Sequence, residues 1–430
     1  MSLLPNIIFA ILIFSGLGLF ARNVRKLRRN INLGKDVDTS GNTRLRWVNM
    51  LKIALGQGKM VRRPIAGILH IIVYLGFIII NIEVLEIIID GFFGTHRIFS
   101  GIGPIYGVLI GAFEVLALLV FISVIIFWFR RNMVNIKRFM SSEMNGWPKL
   151  DGNLILYFEI VLMALFIIMN AADIEFQSSN NGNIISQFLV PMLEGLNVNI
   201  VERVAWWMHI VGIIIFLNYL YYSKHLHILL AFPNTYFGSV KPKGFLNNVE
   251  SITNEVKLMM DPEADPYATN STEDVNTPDK FGASDVLDLN WVQLLNAYTC
   301  TECGRCTSEC PANQTGKKLS PRKIMMDTRD RLVEVGKNID SNNGEFKLDG
   351  IQLLGDYITN EEIWACTSCN ACVEACPISI DPLSIILEMR RYLVMEQSAA
   401  PMELNNMMSN IENNGAPWPY NQMDRLNWKN

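Results

Sequence analysis

Long apolar runs fill the first 230 residues of the chain, whereas the remaining residues mix apolar and polar positions as soluble proteins do. Five runs are long enough to cross a bilayer as helices, at about 20 residues each. They lie at 5–21, 65–89, 103–129, 153–172 and 203–222. A further run at 184–193 is too short to span, and we expect it on the outer surface. The pattern predicts an all-α protein that begins with a five-helix transmembrane bundle.

The charge of the connecting segments predicts the orientation of these helices. Positive residues follow the first apolar run instead of preceding it, which indicates a membrane anchor and not a signal peptide. The loop to Arg63 holds twelve Lys and Arg residues and the segment 130–152 holds five, whereas 90–102 and 173–202 together hold only Arg97. By the positive-inside rule, we expect the N-terminus outside a bacterial inner membrane and the residues after the fifth span in the cytoplasm.

The basic loop also contains an amphipathic segment. Apolar side chains recur there at helical spacing among Arg and Lys: Leu45, Trp47, Val48, Leu51 and Leu55. This pattern predicts a helix that lies on the inner membrane surface.

Composition divides the chain into four parts. They are a membrane domain at 1–235, a polar, Pro-rich linker at 236–283, a soluble helical domain at 284–398 and a tail at 399–430. Ser320 and Asp381, each followed by proline, are expected to begin two helices of the soluble domain, ending near Val335 and Gln397. The tail is rich in Asn and Met, so we expect it to be disordered or ordered by a docked partner.

All eight cysteines fall in the soluble domain, in two runs of identical spacing. The first run is Cys300, Cys303, Cys306 and Cys310, and the second is Cys366, Cys369, Cys372 and Cys376; a proline follows each. This C-x2-C-x2-C-x3-C-P spacing is that of bacterial ferredoxins with two [4Fe–4S] clusters, in which the fourth Cys of each run ligates the other cluster. We therefore expect Cys376 to join the first three cysteines and Cys310 to join the second set.

Two other readings of the cysteines are weaker. Structural zinc sites typically use separated C-x2-C pairs, and disulfide scaffolds belong to small secreted domains. The long insertion between the runs has a helical pattern, which predicts a cytoplasmic α-helical ferredoxin domain.

All five histidines fall in the membrane domain. His70 lies two turns into the second span from the inner side, and His225 and His227 lie at the inner end of the fifth. A six-coordinate b haem needs two axial histidines at similar depth on facing helices, and His70 with His225 or His227 meets that requirement. On the outer side, His209 has only His96 as a partner. The alternative is that each histidine hydrogen-bonds a neighbouring helix.

Carboxylates near the outer side suggest proton chemistry. Glu83, Glu86 and Asp90 share one face of the second span, and Glu114 lies deep in the third. Ionisable groups at depth are costly and usually functional, although Asp90 and Glu86 also suit a solvated helix end. Because quinones take up two protons with two electrons, we expect Glu83 and Glu114 to act as catalytic proton donors or acceptors in a quinone pocket that includes Arg203.

Several motifs resemble a known family. Pro64-x-x-Gly67-x-x-His70, Trp206-Trp207-Met-His209 and Tyr222-Ser-Lys224-His225-Leu-His227 resemble the nitrate reductase gamma-subunit type of membrane cytochrome b. The cysteine half resembles the C subunit of heterodisulfide reductase. Together, 1–232 and 285–395 resemble membrane iron–sulfur reductases of the heterodisulfide-reductase type, including those proposed to link electron transfer flavoprotein to menaquinone.

This resemblance implies cofactors and partners. It implies two b haems held by four histidines of two helices; His70, His209 and His227 match, but Ile80 and Asn81 stand where another histidine is expected. We therefore expect one or two haems. The resemblance also implies menaquinone, a subunit with a Cys-Cys-Gly signature and electron transfer flavoprotein as partners. The chain has no adjacent cysteines, so such a signature would belong to another subunit.

The expected function is that of a membrane-bound electron-transfer subunit of a quinone oxidoreductase. Electrons would run from a soluble partner through two clusters and the haems to menaquinone. Two alternatives stay open: quinol oxidation that feeds a cytoplasmic thiol or disulfide enzyme, and a non-redox anchor for a catalytic subunit. The net charge of −4 does not suggest a nucleic-acid partner, and no nucleotide motif is present.

Overall fold

The structure is a computed structural model that describes residues 3–134, 136–179, 182–261 and 280–429. Helices dominate these ranges, which contain two isolated β-bridges and no β-strand. The predicted all-α fold is confirmed. Residues 262–279 of the predicted linker lie outside the described residues.

The helix bounds follow the chain order. The α-helices are α1 (Leu4–Ile31), α2 (Thr43–Met50), α3 (Pro64–Phe93), α4 (Pro104–Asn132), α5 (Trp147–Ala172), α6 (Ile174–Ser179), α7 (Val198–Tyr219), α8 (His227–Phe237), α9 (Glu250–Met260), α10 (Trp291–Thr299), α11 (Arg305–Ser308), α12 (Pro311–Gln314), α13 (Pro321–Ser341), α14 (Asn360–Trp364), α15 (Ala371–Ala375), α16 (Pro382–Met395) and α17 (Met402–Asn414). Short 3-10 or π turns lie at Leu51–Leu55, Met60–Arg62, Ile98–Ile102, Lys137–Phe139, Ser142–Met144, Ser186–Phe188, Val190–Leu193, Leu220–Tyr222, Lys224–Leu226, Val286–Asp288, Leu353–Tyr357 and Gln422–Lys429.

Five of these helices, α1, α3, α4, α5 and α7, are long and apolar enough to cross a membrane, as predicted. They form a closed ring in which each helix packs against two others. The ring encloses buried side chains that include Ile110, Phe113 and Phe166, whereas apolar side chains such as Val108 and Val161 stay exposed on its outside. A lipid-facing surface requires this arrangement, with every backbone group satisfied inside a helix.

Proline and glycine set the ends of the long helices. Each of α1, α3, α4 and α5 has proline in its first turn. Proline is tolerated there because the N–H groups of the first turn have no acceptor within the helix. The residue before α4, Gly103, has a φ of 71°, and the residue after α3, Gly94, has a φ of 67°. A side chain is disfavoured in this left-handed region, so glycine allows the sharp turns that join adjacent helices.

The soluble half packs directly against one end of the bundle. Leu27 and Ile31 at the end of α1 share an apolar core with Leu294 and Ile324 of the soluble half. Asn30 Nδ2 donates to Tyr298 Oη at 2.9 Å, and α8 packs against α10. We call this the ferredoxin end of the bundle, and the other the distal end.

The predicted helix starts in the soluble half are confirmed. The Ser320 and Asp381 side chains accept hydrogen bonds from Lys323 N and Ser384 N. Helix α13 continues to Ser341, beyond the predicted end near Val335, since Ile339 extends its buried face.

Three other predicted segments have simple structures. The run at 184–193 forms two 3-10 turns. The amphipathic segment forms α2 and a π turn, with Trp47, Val48, Leu51 and Leu55 exposed. The tail forms α17, which buries no residue.

Candidate iron–sulfur and haem sites

The two cysteine runs lie side by side, so that each can complete the other's ligand set. A small pocket is lined by Cys300, Cys303, Cys306 and Cys376. Helices α11 and α15, which contain the third cysteine of each run, pack against each other and bring Cys376 to the first set. This is the crossed arrangement that the spacing predicts for the first cluster.

The second set has equivalent local geometry. Cys310 lies near Cys366 and Cys372, and Cys369 is exposed. The residues that flank the second cysteine of each run adopt positive φ: Glu302 and Gly304 in the first run, Ser368 and Asn370 in the second. Two loops of the same shape therefore present two matched sets of thiols.

The thiols do not form a single-ion site. Across the described residues, no three His, Cys, Asp or Glu side chains close around one metal ion. A zinc ion draws four ligands into one tetrahedron, whereas each thiolate of a cubane binds a different iron and the four sulfurs lie further apart. The arrangement fits the cubane better than zinc.

At the ferredoxin end of the bundle, two histidines face each other from different segments. The ring centroids of His70 on α3 and His227 at the start of α8 lie 6.4 Å apart, with an interplanar angle of 39°. A metal–imidazole bond is about 2 Å long and the ring centre lies ~1 Å further, so two axial imidazoles have centroids about 6 Å apart. The observed pair fits bis-histidine ligation of one haem iron.

The hydrogen bonds of the histidines show how each candidate ring is held. His227 Nδ1 lies 3.1 Å from the carbonyl oxygen of Lys224, a contact that fixes the ring and leaves Nε2 for a metal. The buried Nδ1 of His70 has no hydrogen-bond partner within the described part of the chain, which disfavours the helix–helix bonding alternative. His225 lies 5.4 Å from His227 between ring centroids, nearly perpendicular to it, and its buried Nδ1 has no partner among the described residues.

The histidine segment is joined to the first cysteine run by a buried ion pair. Lys224 Nζ pairs with Glu302 and lies 3.7 Å from Asp151; both Lys224 and Glu302 are almost fully buried. Burial acts to raise the pKa of Glu302, but the cations of Lys224 and Arg329 outweigh it and hold that pKa below its usual value. Glu302 immediately precedes Cys303 and Lys224 immediately precedes His225, so the pair links the histidine segment to the first cysteine run.

A second connection runs through Arg305, which lies between Cys303 and Cys306. Its guanidinium donates to the carbonyl oxygens of Lys59 and Met60, both at 3.2 Å. The Met60 segment packs on Gly67, where a Cβ would lie only 2.9 Å from the Met60 oxygen. Gly67 lies one turn before His70, so this close contact is next to the histidine on α3.

Sequence reasoning did not single out Lys224 or Arg305. A lysine at the end of an apolar span usually extends to the membrane surface, so its burial could not be read from its position. The signal present was its place within the Ser223-Lys224-His225 motif.

A cavity of about 250 Å³ lies at the distal end of the bundle. Its lining includes Glu83, Arg203, Trp206 and Trp207, of which Glu83 and Arg203 were predicted for a quinone pocket. Glu83 is buried, and its Oε2 has no hydrogen-bond partner among the described residues. More than half of the lining residues are polar or charged, alongside apolar ones that include Phe9, Trp206 and Trp207. Convergent polar groups in a concave site can fix the orientation of a small ligand.

Glu114 lies elsewhere. It is fully buried and accepts hydrogen bonds from Asn170 Nδ2 at 3.1 Å, Ile185 N at 2.7 Å and Ser186 N at 3.0 Å. It is not part of the cavity lining. The contacts give Glu114 a role in holding the 182–193 segment on the bundle.

The distal histidines do not face each other as a pair. His96 lines the cavity, and its ring nitrogens lie 3.1 Å from Asp173 and 3.3 Å from Glu175. His209 is buried beside Phe166, at 6.0 Å between ring centroids, and is not part of the lining. The geometry offers no second bis-histidine pair in the described residues.

The contacts of His96 belong to a network that closes the distal end. Arg97 Nε donates to Asp173 Oδ2 at 2.8 Å and its Nη2 to Asn170 at 2.8 Å. The hydrogen bond with Asp173 raises the pKa of His96. Burial acts to raise the pKa of Asp173, but its bonds with His96 and Arg97 hold that pKa well below the usual value.

Comparison with known proteins decides the nature of the soluble half. A family described as "4Fe-4S dicluster domain" matches residues 299–380. The chain carries a 4Fe-4S dicluster domain. The match includes all eight cysteines, so the predicted iron–sulfur chemistry of this domain is confirmed.

Relatives extend this similarity across the membrane half. The chain is 28% identical over 416 residues to the probable iron–sulfur-binding oxidoreductase FadF of Bacillus subtilis, covering 89% of this chain and 54% of that protein. It is 25% identical over 409 residues to the EtfAB:quinone oxidoreductase of Syntrophomonas wolfei, covering 87% and 52%. The chain thus spans about half the length of these relatives.

The dicluster domain has archaeal relatives as well. Over 120 residues the chain is 32% identical to the C subunit of the ferredoxin/F420H2-dependent CoB–CoM heterodisulfide reductase of Methanosarcina acetivorans, covering 28% of this chain and 60% of that protein. No solved structure matches the chain. The resemblance to iron–sulfur reductases of the heterodisulfide-reductase type is confirmed, and the chain combines a 4Fe-4S dicluster domain with five apolar helices.

Proposed function

We propose that this chain is the membrane-bound electron-transfer subunit of a quinone oxidoreductase that connects a cytoplasmic partner with menaquinone. The observation that carries the proposal is the His70–His227 pair, spaced for one haem iron at 6.4 Å and joined to the first cysteine run through Lys224 and Glu302. When bound, two [4Fe–4S] clusters and a b haem supply one-electron sites on one path.

The protein's own residues have distinct roles in this proposal. His70 and His227 hold the haem, and the Lys224 carbonyl fixes the His227 ring through Nδ1. One haem per chain is proposed, because His96 is engaged by two carboxylates and Ile80 occupies the position of the missing histidine. Nothing tests the prediction that His225, His209 and His96 are ligands, and this one-haem proposal does not use them.

The distal cavity is the proposed quinone site. Glu83, whose buried Oε2 has no partner among the described residues, would exchange protons with the quinone oxygen, and Arg203 would orient the head group. An ionised carboxylate without a partner is costly in such a place, so Glu83 is suited to hold a proton until the quinone takes it. The proposed quinone role of Glu114 lacks this support, since three hydrogen bonds engage its oxygens.

The proposed partners follow the relatives. An EtfAB:quinone oxidoreductase is similar along most of this chain, which supports electron transfer flavoprotein as the cytoplasmic donor, together with a subunit that carries a Cys-Cys-Gly signature. The proposed location is the bacterial inner membrane, with the dicluster domain in the cytoplasm, as the positive-inside rule predicts.

A second candidate is quinol oxidation that delivers electrons to a thiol or disulfide enzyme. The similarity to the C subunit of a heterodisulfide reductase favours it. Redox titration separates the two directions: clusters with more negative potentials than the haem favour quinone reduction. Clusters that no partner reduces would favour a non-redox anchor.

The proposal is tested on the full chain purified in mild detergent. We expect about eight non-haem irons per chain, as two cubanes require, and a reduced-minus-oxidised spectrum of a b haem. When the reduced protein is mixed with a water-soluble menaquinone analogue, the haem should become oxidised. Protein that binds no haem, or much less iron, would contradict the proposal.

A further inference from the structure

We propose that the first cluster, held by Cys300, Cys303, Cys306 and Cys376, is the one that exchanges electrons with the haem, and that Lys224 is the residue that positions and tunes this contact. The inference rests on the proposed function and adds an order to its electron path. The second cluster, with Cys369 exposed, then becomes the entry point for the soluble partner.

Three contacts from the membrane half surround the ligands of the first cluster. Lys224 pairs with Glu302, next to Cys303. Arg305, between Cys303 and Cys306, donates to the Met60 segment. Asn234 of α8 is fully buried, and its Nδ2 donates at 2.8 Å to the carbonyl oxygen of Ile378, two residues after Cys376.

The equivalent position of the second run is held differently. Ser368 corresponds to Glu302 in the repeated loop, and it receives a hydrogen bond from Arg390 of the soluble half at 3.2 Å. Arg390 also donates to the carbonyl oxygens of Cys366 and Ile363. Thus Glu302, beside Cys303, is held by Lys224 of the membrane half together with Arg329 of α13, whereas Ser368, beside Cys369, is held by Arg390 of α16. The membrane half also contacts residues next to Cys310 and Cys372, so the contrast concerns the loops around Cys303 and Cys369.

Charge at the first loop gives Lys224 a measurable effect. Reduction adds one electron to a cluster, and cluster potentials depend on the net charge nearby. A buried cation stabilises the reduced form, because screening by water is weak there. Removing Lys224 should therefore lower the potential of the first cluster, whereas removing the negative charge of Glu302 should raise it.

The experiment measures cluster and haem potentials by redox titration with EPR and optical detection on the full chain. K224M is expected to lower the reduction potentials of the first cluster and of the haem. For the cluster we expect a change of about tenfold in the reduction equilibrium, which is about 59 mV for one electron. E302Q should raise these two potentials, whereas R390Q should lower the potential of the second cluster and leave that of the haem unchanged.

Matched controls separate charge from folding. K318M removes an exposed lysine of the soluble half that pairs with Glu361 at 2.5 Å, and solvent screening predicts no shift in either cluster potential. K224R keeps the charge and should retain the wild-type potentials. After flash photoreduction of the clusters, haem reduction should slow in K224M and not in K318M.

Each outcome bears on the inference. Shifts of the same sign in K224M and E302Q, or a haem that responds to R390Q instead, would overturn it. Normal iron and haem content with unshifted potentials in K224M would also overturn it while the proposed function stands. A wild-type chain that binds no haem would contradict both this inference and the proposed function.

Discussion

The most direct consequence of the proposed haem site is that two of the three histidines at the ferredoxin end should be needed for haem binding and one should not. We consider alanine variants of His70, His227 and His225. The 6.4 Å spacing of the ring centroids would suit His70 and His227 as the two ligands of one haem iron, whereas the ring of His225 is nearly perpendicular to that of His227, with centroids 5.4 Å apart. H70A and H227A should lose the haem, and H225A should keep it.

The expected magnitudes differ because the roles differ. H70A and H227A each remove one of two bonds to iron, so we expect less than about a tenth of the wild-type haem content. If His225 only orients its neighbours, its loss should weaken the affinity for haem by about 10- to 100-fold. Excess haem during expression can offset a loss of that size. H225A should therefore retain about one haem per chain.

The assay is a pyridine haemochrome measurement on purified protein, normalised to non-haem iron. Iron should stay near eight per chain in all three variants, because the cysteine runs are intact. H209A serves as the control from the distal end and should keep the haem. Haem retained in H70A or H227A, or lost in H225A alone, would refute the ligand assignment.

Three further predictions concern the distal end. E83Q should lower quinone turnover by at least about 100-fold while haem reduction by dithionite is unchanged, since general acid–base groups contribute about that much; turnover within twofold of wild type would remove Glu83 from this role. E114Q should mainly destabilise the protein, by about 1–3 kcal/mol in thermal unfolding, because it places an amide donor against the Asn170 amide; a large turnover loss at unchanged stability would contradict this. H96Q should lower the melting temperature at pH 6 and have little effect at pH 9: the folded pKa of His96 is raised by Asp173, so its stabilisation is present below the usual His pKa and is lost as pH rises through the folded value. A melting-temperature difference that grows with pH would contradict the last of these.

Much of the fold was predictable because its signals are local. Apolar length alone gives the five spans, and Ser-Pro and Asp-Pro pairs give the starts of α13 and α16. The cysteine spacing also carries its own pairing rule, so the approach of Cys376 to the first run follows from the sequence. For the partner of His70, the sequence left the choice between His225 and His227 open, since local spacing does not fix which of these two rings faces His70.

What the sequence could not show is contact between distant polar residues. Glu114 and Glu83 look alike as carboxylates in apolar spans, yet one accepts two backbone N–H bonds from residues 71 and 72 positions away and the other has an oxygen without a partner in the described chain. Likewise His96 precedes Arg97 in a short turn, and nothing local reveals that both meet Asp173. Such pairings depend on the packing of whole helices.

The positive residues from which the orientation of the apolar helices is predicted also form ion pairs with the dicluster domain. Arg62 pairs with Glu374 at 2.6 Å, Arg63 with Glu309 at 3.0 Å, and Lys26 with Asp340 at 2.6 Å. The bonds from Lys243 and Arg62 hold the pKa of Glu374 at about 2, so this docking contact is present above the usual carboxylate pKa and is lost as pH falls through the folded value. A charge reversal such as R62E therefore affects both the predicted membrane orientation and the docking of the dicluster domain. These two effects respond differently to salt. Exposed ion pairs weaken as the Debye length shortens, whereas the direction of membrane insertion, once set, does not reverse. Cluster-to-haem transfer that falls with salt in the wild type and is already low in R62E would assign the effect to docking.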